Sequence, residues 1–317
     1  MRAIAIVGPT ASGKSDLAIE LSRRLGGEIV SCDSMQIYRR LDIGTAKPTE
    51  EEMEGIAHHM IDIADPTAPY SAADYAAEAR EVIGQILGRG RIPILCGGTG
   101  LYLEALRSGR HANAPGADEA FRAALFEEAE REGGASALHA RLTEIDPEAA
   151  AGIHPNNVRR VIRALELAHL TGSTKSALDA ESRRGGDGVE LLIFCLCFED
   201  RALLVDRIER RVDRMMERGL LAEVTALYGD GCLAPGQTAE QAIGYRQLIP
   251  YLEGKISCET AVADIKTATR RYAKRQMTWF RRTEGIRFLA VDGGGRLRSR
   301  SELADEILPQ ITDWYNT

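Results

Sequence analysis

Residues 3–15 read Ala-Ile-Ala-Ile-Val-Gly-Pro-Thr-Ala-Ser-Gly-Lys-Ser and contain the most specific structural signal in the chain. Its apolar first part, residues 3–7, predicts a buried strand, and residues 16–25 have the periodicity of a helix. The eight residues between them match the pattern G-x-x-x-x-G-K-[ST] of a phosphate-binding loop, in the strand-to-helix context that this pattern requires. We call residues 8–15 the phosphate loop. The alternative interpretation is a tight strand-to-helix turn without a ligand.

The phosphate loop contains residue types that suit a polyphosphate ligand. Its glycines let consecutive backbone N–H groups converge on phosphate oxygens, and the start of the helix adds its dipole. Lys14 supplies positive charge, and the Ser15 hydroxyl suits Mg²⁺. The motif alone does not name the ligand. We expect the whole loop to contribute: Gly8, Pro9, Thr10, Ala11, Ser12, Gly13, Lys14 and Ser15.

The composition is that of a folded protein and excludes a membrane-spanning helix. The chain has 317 residues, 44% of them hydrophobic, with 40 Lys and Arg against 47 Asp and Glu. Its longest apolar run, residues 191–198, is far shorter than the roughly 18 residues that a spanning helix needs. Without a secretory signal ahead of the first strand, we expect a cytoplasmic protein. The six cysteines form no C-x-x-C pair, which argues against a zinc site or a disulfide framework.

Strands and helices alternate along the chain, which predicts a parallel α/β sheet flanked by helices, of the kind found in P-loop NTPases. Ser-Ala-Ala-Asp at residues 71–74 is a capping box and predicts a helix that begins there and ends at residues 88–90. Apolar runs predict further strands at residues 28–31, 92–96, 189–198 and 286–291.

A stretch of different character interrupts this alternation. Residues 118–179 have helical periodicity and few β-branched runs. They are flanked by a Gly-, Ala- and Pro-rich segment at 108–117 and by a polar segment at 182–188. We therefore predict a phosphate-loop domain of residues 1–115 and 186–317 and a helical insertion domain of residues 116–185.

Asp33 follows the second predicted strand directly. Because the carboxyl ends of neighbouring parallel strands open on one crevice, we expect Asp33 to face the phosphate loop. It would either hold Mg²⁺ through water or accept a proton from an incoming nucleophile. The structural alternative is that it caps a turn. The strand at 92–96 ends in glycines, so an ordinary ATPase would lack its most natural second carboxylate.

Four arginines form what we call the arginine stripe: Arg207, Arg211, Arg214 and Arg218. Their spacings of four, three and four place them on one face if residues 203–221 form a helix. Two interpretations stay open, a phosphate-binding face and a solvated helix with internal ion pairs, because acids and bases balance in this segment.

Residues 266–282 hold seven Lys or Arg and no Asp or Glu, interleaved with three aromatic residues. Cations neutralise phosphates and aromatic faces support bases, so this patch suits RNA. An acidic partner or a membrane surface is the alternative. A second group of arginines, Arg159, Arg160 and Arg163, lies in the predicted insertion.

Eight blocks, taken together, are more specific than any one of them. They are the phosphate loop, Asp33-Ser-Met-Gln-Ile-Tyr, Asp42-Ile-Gly-Thr-Ala-Lys-Pro, His58-His-Met-Ile-Asp, Gly97-Gly-Thr-Gly-Leu-Tyr, residues 156–166, Ala242-Ile-Gly-Tyr-Arg and Lys274-Arg-Gln-Met-Thr-Trp-Phe-Arg. In this combination and order the chain resembles the tRNA dimethylallyltransferase family over nearly its whole length.

The resemblance implies transfer of a dimethylallyl group from dimethylallyl diphosphate to N6 of adenosine 37 in tRNAs that read codons beginning with U. The phosphate loop would hold the diphosphate, with Lys14 and a Ser15-associated Mg²⁺ offsetting the charge of the leaving group. Arg211 would clamp the same diphosphate, with Arg207 as a second candidate. Asp33 would be the general base that receives the N6 proton.

The resemblance also implies a tRNA-binding surface and a monomeric enzyme. Two positions depart from the family pattern, Arg159, where Gln is frequent, and Gln241, where a basic residue is sometimes found. The implied tRNA contacts are Asp33, Ser34, Met35, Gln36, Thr99, Arg122, Arg159, Arg160, Arg163, Gly244, Tyr245, Arg246, Lys274, Arg275, Gln276, Trp279 and Arg281.

Two other functions are weighed against this one. A P-loop kinase that uses ATP on a small molecule would explain the phosphate loop but leaves the basic, aromatic C-terminal patch without a role. A nucleotide-gated RNA-binding protein without transfer chemistry would differ in that its RNA affinity survives Asp33→Asn and the wild type forms no modified product.

Overall fold

A computed structural model describes residues 1–109, 118–184 and 188–316, and the side chains of residues 182–184 are not described. The chain forms two compact units, Met1–Arg107 with Val189–Thr317, and Ser108–Gly188. The domain boundaries predicted at 115–116 and 185–186 lie outside the described residues.

The larger unit is built on a six-stranded parallel sheet. Its strands are β1 (Arg2–Val7), β2 (Gly27–Ser31), β3 (His58–His59), β4 (Ile92–Gly97), β5 (Glu190–Cys197) and β6 (Ile286–Ala290), and two short strands, β7 (Asp292–Gly293) and β8 (Arg296–Leu297), lie outside it. The order in the sheet is β3-β2-β4-β1-β5-β6, and β7 and β8 form a separate antiparallel hairpin. The predicted parallel α/β fold is therefore confirmed.

Helices flank this sheet and make up the smaller unit. They are α1 (Lys14–Leu25), α2 (Ala72–Gly88), α3 (Gly100–Ser108), α4 (Glu119–Glu130), α5 (Gly134–Ile145), α6 (Pro147–Ala151), α7 (Val158–Thr171), α8 (Lys175–Arg184), α9 (Arg201–Glu217), α10 (Leu220–Gly229), α11 (Tyr245–Leu252), α12 (Cys258–Phe280) and α13 (Arg300–Asn316).

The central strand β1 is buried on both faces because helices cover the sheet from both sides. Ala5 and Val7 pack in one core with α2, α3 and Phe280 of α12. Ile4 and Ile6 pack on the opposite face with α1 and α13. Each fully buried aliphatic side chain of this size contributes about 1.5–3 kcal/mol. Burial on both faces explains why the strands are continuous apolar runs.

Local signals fix the ends of two helices. The Ser71 side chain accepts a hydrogen bond from the Asp74 N–H, and the Asp74 carboxylate accepts one from the Ser71 N–H at 2.8 Å, so the predicted capping box is formed. The helix expected over residues 203–221 ends earlier, at Glu217. Gly219 has a φ of 99°, and a new helix, α10, starts after it. The stripe prediction therefore holds for α9 alone, with Arg218 at its C-cap.

The carboxyl ends of three strands meet at one edge of the sheet. Val7 is opposite Gly97, and Cys96 is opposite both Ile6 and Ser31. The phosphate loop, the segment that begins at Cys32 and the glycines after β4 therefore leave the sheet side by side. Beyond this edge, α9 to α12 pack around a third apolar core with side chains from residues 37–41 and Ala64.

The smaller unit consists of helices around its own apolar core and contains a buried carboxylate, Glu166. One Glu166 oxygen accepts hydrogen bonds from Arg122 at 2.8 Å and from the Asp118 N–H at 2.9 Å, and the other accepts one from Arg163 at 2.7 Å. Burial opposes a charge on Glu166, but the hydrogen bonds from Arg163, Arg122 and the Asp118 N–H outweigh it and lower the pKa.

Among the residues that the structure describes, no helix is long and apolar enough to cross a membrane.

Glu166→Gln should destabilise the smaller unit by about 2–3 kcal/mol, because a charged acceptor of several hydrogen bonds is lost inside the core. The pKa of Glu166 is lower in the folded state than in the unfolded state. Its contribution to the free energy of unfolding is therefore fully present above the unfolded-state pKa of about 4.3, and it disappears as the pH falls through the folded-state pKa. Hydrogen exchange of the amides in α4 and α7 at pH 7 measures this loss. The exposed Glu127→Gln is the control, and equal effects of the two changes would contradict the prediction.

Candidate active site

The phosphate loop takes a conformation that requires glycine at its start. Gly8 has a φ of 140°, and a β-carbon there would lie 2.7 Å from the Leu196 carbonyl oxygen of β5. Gly13, with a φ of 87°, is the N-cap of α1. The loop therefore runs against the neighbouring strand and leads into the helix, which directs backbone N–H groups toward a common space.

Lys14 lies in a cleft at the carboxyl edge of the sheet. The cleft has a volume of about 260 Å³, and Ser15, Asp33 and Arg211 also line it. The Lys14 ammonium donates a hydrogen bond to the Pro9 carbonyl oxygen at 2.8 Å. Removal of water lowers the pKa of Lys14 to about 8, which nearby Asp33 partly opposes and Arg211 reinforces. An anion in the cleft would favour the charged form of this lysine.

Asp33 lines the same cleft, as predicted from its place after β2. One of its carboxylate oxygens accepts a hydrogen bond from the Met35 N–H at 2.9 Å, so Asp33 also caps the turn that follows the strand. The turn fixes the direction of the carboxylate. A role in capping the turn and a role in the chemistry of the cleft are therefore compatible, because the capping carboxylate still has lone pairs for Mg²⁺ or a proton.

The arginine stripe divides into two parts. Arg211 lines the cleft, and burial lowers the pKa of its guanidinium below the ordinary value. Arg207 donates a hydrogen bond from Nε to the Ala11 carbonyl oxygen of the phosphate loop at 2.7 Å. Arg214 and Arg218 are exposed. Arg207 and Arg211 thus lie at the phosphate loop and its cleft, whereas Arg214 and Arg218 lie on a solvated face.

The segment after Asp33 is held from several directions. The Ser34 N–H donates to the Thr99 hydroxyl at 3.0 Å, and the Thr99 N–H donates to the Cys32 carbonyl oxygen at 3.1 Å. Gln36 donates to the carbonyl oxygens of Thr45 and Ala46 and accepts from Ser31. Met35 lines the cleft. Gln36 therefore positions the wall of the cleft, and its contact with tRNA stays a prediction.

The Gly-Tyr-Arg block joins α11 to the loop at residues 42–44. Tyr245 is fully buried, its ring packs against Gly44, and its hydroxyl donates a hydrogen bond to Glu223. The Glu223 carboxylate also accepts the N–H groups of Asp42, Ile43 and Gly44. Arg246 is exposed beside Gln241. Of this block, Arg246 is the residue available to a large ligand.

Helix α12 divides in the same way between an inner and an outer face. Gln276 is buried and bonds to the phosphate loop and to Gly98, while Lys274, Arg275, Trp279 and Arg281 are exposed. Arg275 and Tyr272 also line the cleft, with the guanidinium carbon 5.6 Å from the centre of the tyrosine ring. The outer face presents the predicted cations and one aromatic ring to solvent.

In the smaller unit, the four predicted arginines also differ. Arg122 and Arg163 are half-buried and paired with Glu166. Arg159 and Arg160, near the start of α7, are exposed. Arg159 and Arg160 are therefore more accessible to a phosphate backbone than Arg122 and Arg163.

Sequence reasoning missed two groups of residues. Val212, Met215, Ile243 and Ile265 form an apolar wall of the cleft. Lys47 is buried and bonds to Asp42, Asp62 and the Tyr38 carbonyl oxygen, which ties three of the eight blocks together. Lys47 and Ile243 lie inside these blocks, and that is their only signal in the sequence.

The donor set suits Mg²⁺ in the cleft only together with a phosphorylated ligand. Ser15 and Asp33 supply two oxygen donors. No group of three His, Cys, Asp or Glu able to hold a metal occurs among the described residues. Mg²⁺ commonly uses one or two protein oxygens, with phosphates and water completing the shell. The residues present fit that pattern.

Comparison with known proteins agrees with this geometry. A family model described as "IPP transferase" matches residues 36–283, and one described as "Isopentenyl transferase" matches residues 1–68. The chain belongs to the IPP transferase family. The first match includes α12, and the second includes the phosphate loop.

Relatives and solved structures extend over nearly the whole chain. A tRNA dimethylallyltransferase from Geobacillus thermodenitrificans is 50% identical over 281 residues, which cover 88% of this chain and 87% of that protein. The tRNA isopentenylpyrophosphate transferase of Bacillus halodurans aligns with a TM-score of 0.70 and 43% identity, covering 98% of this chain and 97% of that one. A eukaryotic dimethylallyltransferase described as acting on tRNA aligns with a TM-score of 0.76 and 30% identity, covering 91% and 73%.

Diphosphate binding should weaken as the pH rises above about 8. The pKa of Lys14 is about 8 in the free protein and rises when an anion binds, so binding above that pH requires proton uptake. The dissociation constant of an alkyl diphosphate should increase about tenfold between pH 7 and pH 9. Such a ligand is fully charged there, like a phosphate monoester with a second pKa of about 6.

Titration calorimetry at both pH values measures the change. Lys14→Arg is the control, because arginine keeps its charge over this range and should show a flat profile. The same slope in both proteins would assign the pH dependence to another group.

Proposed function

We propose that this IPP transferase family member transfers the dimethylallyl group of dimethylallyl diphosphate to N6 of adenosine 37 in tRNAs that read codons beginning with U. The main observation in support is the grouping of Lys14, Ser15, Arg211 and Asp33 in one cleft beside the exposed cationic face of α12. Phosphate-binding groups and a carboxylate base are the two requirements of this transfer.

The cleft suits a donor with a charged end and an apolar end. Lys14 and Arg211 would take the diphosphate, and the wall formed by Val212, Met215 and Ile265 would cover the isoprenoid carbons. Mg²⁺, held by Ser15 and the phosphates, would offset charge on the diphosphate as it leaves. Removal of water around Lys14 and Arg211 strengthens their attraction for that charge.

The reaction breaks the bond between the allylic carbon and the diphosphate oxygen and forms a bond from that carbon to N6. The electron pair of the broken bond leaves with the diphosphate. The amino group that attacks loses a proton, and Asp33 would accept it. Because the turn at Met35 fixes the carboxylate, Asp33 needs little reorganisation to do so.

The acceptor would be bound mainly through its phosphates. Lys274 and Arg275 on α12, Arg281 at its C-cap and the exposed Arg159 and Arg160 of the smaller unit would supply positive charge, although the chain as a whole has a net charge of −7. Adenosine 37 must leave its stack to reach Asp33, as in other enzymes that modify a base. We further propose that the protein acts as a cytoplasmic monomer.

The kinase alternative has no support from the comparisons, and β4 ends in Gly97 rather than in a carboxylate. A kinase would consume ATP, so the two functions differ in the product that they form.

Mass analysis of nucleosides from unmodified tRNA, incubated with the protein, Mg²⁺ and dimethylallyl diphosphate, tests the proposal. Isopentenyladenosine should form with this donor, not with ATP in its place and not with tRNA carrying guanosine at position 37. Consumption of ATP without modified nucleoside would favour the kinase instead.

Asp33→Asn should lower kcat by about 10²–10⁴, the usual contribution of a general base, with tRNA affinity unchanged. Single-turnover rates and tRNA binding, measured in parallel, separate the two effects. Asp264→Asn, an exposed change on α12, should behave like the wild type. A D33N protein that turns over at the wild-type rate would remove Asp33 from the chemistry.

Replacing both Lys274 and Arg275 with Gln should weaken tRNA binding and make it less dependent on salt. The slope of the logarithm of the binding constant against the logarithm of the salt concentration should become less steep by about 0.7–0.9 for each phosphate that is no longer neutralised. Filter binding over a series of salt concentrations measures the slope. Lys255→Gln, an exposed change before α12, should leave it unaltered. An unaltered slope in the double variant would place tRNA on another surface.

A further inference from the structure

One side chain of the predicted tRNA-binding helix points into the protein. Gln276 of α12 is only 5% exposed. Its Oε1 accepts a hydrogen bond from the Thr10 N–H at 2.9 Å, and its Nε2 donates one to the Gly98 carbonyl oxygen at 3.0 Å. Its neighbours Lys274 and Arg275 are exposed. The amide therefore connects α12 to the phosphate loop and to the end of β4.

This contact removes one donor from the phosphate loop. In loops of this kind, consecutive backbone N–H groups provide the phosphate contacts. Thr10 and Gln276 both line the cleft, so the Thr10 N–H lies beside the ligand space but is already bonded. The loop offers fewer free donors than its motif indicates.

We propose that Gln276 restricts the phosphate loop to a diphosphate and excludes a third phosphate group. The inference rests on the proposed function, in which the donor carries two phosphates. A third phosphate would have to displace the amide from Thr10 or lie against its oxygen, and two acceptors in contact without a proton between them repel each other. Gln276 is thus a specificity determinant that acts against triphosphates.

The Gln276 amide fits because residue 98 is a glycine. A β-carbon at residue 98 would overlap Nε2 of Gln276, so glycine at the end of β4 is required for the contact. Gln276 lies one turn before Phe280, which packs fully buried in the sheet core and so fixes the register of α12. Two separated segments therefore hold the amide on the loop.

The same loop pattern holds triphosphates in other P-loop proteins, so the motif does not distinguish the two kinds of ligand. The difference here comes from α12, which is far away in sequence. The prenyl donor would be selected over nucleoside triphosphates by a group that never needs to touch the prenyl chain.

Competition between inorganic diphosphate and tripolyphosphate tests the inference. Dissociation constants of both, each with Mg²⁺, are measured by calorimetry for the wild type, Gln276→Ala, Gly98→Ala and Thr278→Ala. The ratio of the two constants within each protein cancels general effects on anion binding. Thr278 is exposed on the same helix and serves as the control.

The wild type should prefer diphosphate. In Gln276→Ala the preference should fall about tenfold, because the freed Thr10 N–H gains a charged acceptor worth about 1.4 kcal/mol, near the low end for hydrogen bonds to charged groups. Gly98→Ala should have the same effect, because its β-carbon displaces the Gln276 amide. This variant replaces Gln276→Ala in the test if Gln276→Ala does not fold. Thr278→Ala should retain the wild-type ratio.

An unchanged ratio in the two variants, or a wild type without preference, would overturn the inference. Dimethylallyl transfer measured with the same preparations separates the two proposals. Normal transfer with an unchanged ratio would refute only the role of Gln276. Absence of transfer from any allylic diphosphate would refute the proposed function.

Discussion

The site depends on close backbone packing at the carboxyl edge of the sheet, which only residues without side chains allow. A β-carbon at Gly97 would overlap the Cys32 carbonyl group, and one at Gly100 would overlap the Trp279 ring. At Gly8 it would press on β5. Because these positions are glycines, the ends of β1, β2 and β4 and the helix α12 approach closely enough to share one cleft.

Polar side chains then hold the walls of that cleft in place. Gln36 and Lys47 each bond to several groups of the neighbouring loop segments. Glu223 bonds to residues 42–44, which are distant in sequence, and Tyr245 closes this network by packing on Gly44. Buried polar groups are stable only when they are fully bonded, so each network specifies a single arrangement of its loop. A motif shared with tRNA-binding enzymes can therefore contain residues whose task is to shape the site rather than to touch the ligand.

The electrostatics of the two units follow the same division between structure and binding. In the smaller unit, Arg122 and Arg163 form ion pairs with Glu166. In the larger unit, Arg207 donates a hydrogen bond to the phosphate loop. Lys274 and Arg275 on the outer face of α12 and Arg159 and Arg160 at the start of α7 stay exposed. A negatively charged chain can in this way present positive charge where a polyanion would bind.

The parallel sheet, the phosphate loop and the place of Asp33 were predictable from the amino-acid sequence, because these depend on local periodicity and on the short-range requirements of a glycine loop. It also indicated the family, since eight blocks in a fixed order are specific. The folded chain was needed to show that residues 203–221 are two helices, that Arg207 and Arg211 of the arginine stripe face the phosphate loop and its cleft, and that Gln276 and Tyr245 are buried. Those outcomes depend on contacts between residues such as Gln276 and Thr10, which lie 266 positions apart, and no local pattern encodes which of two faces a helix turns toward a distant loop.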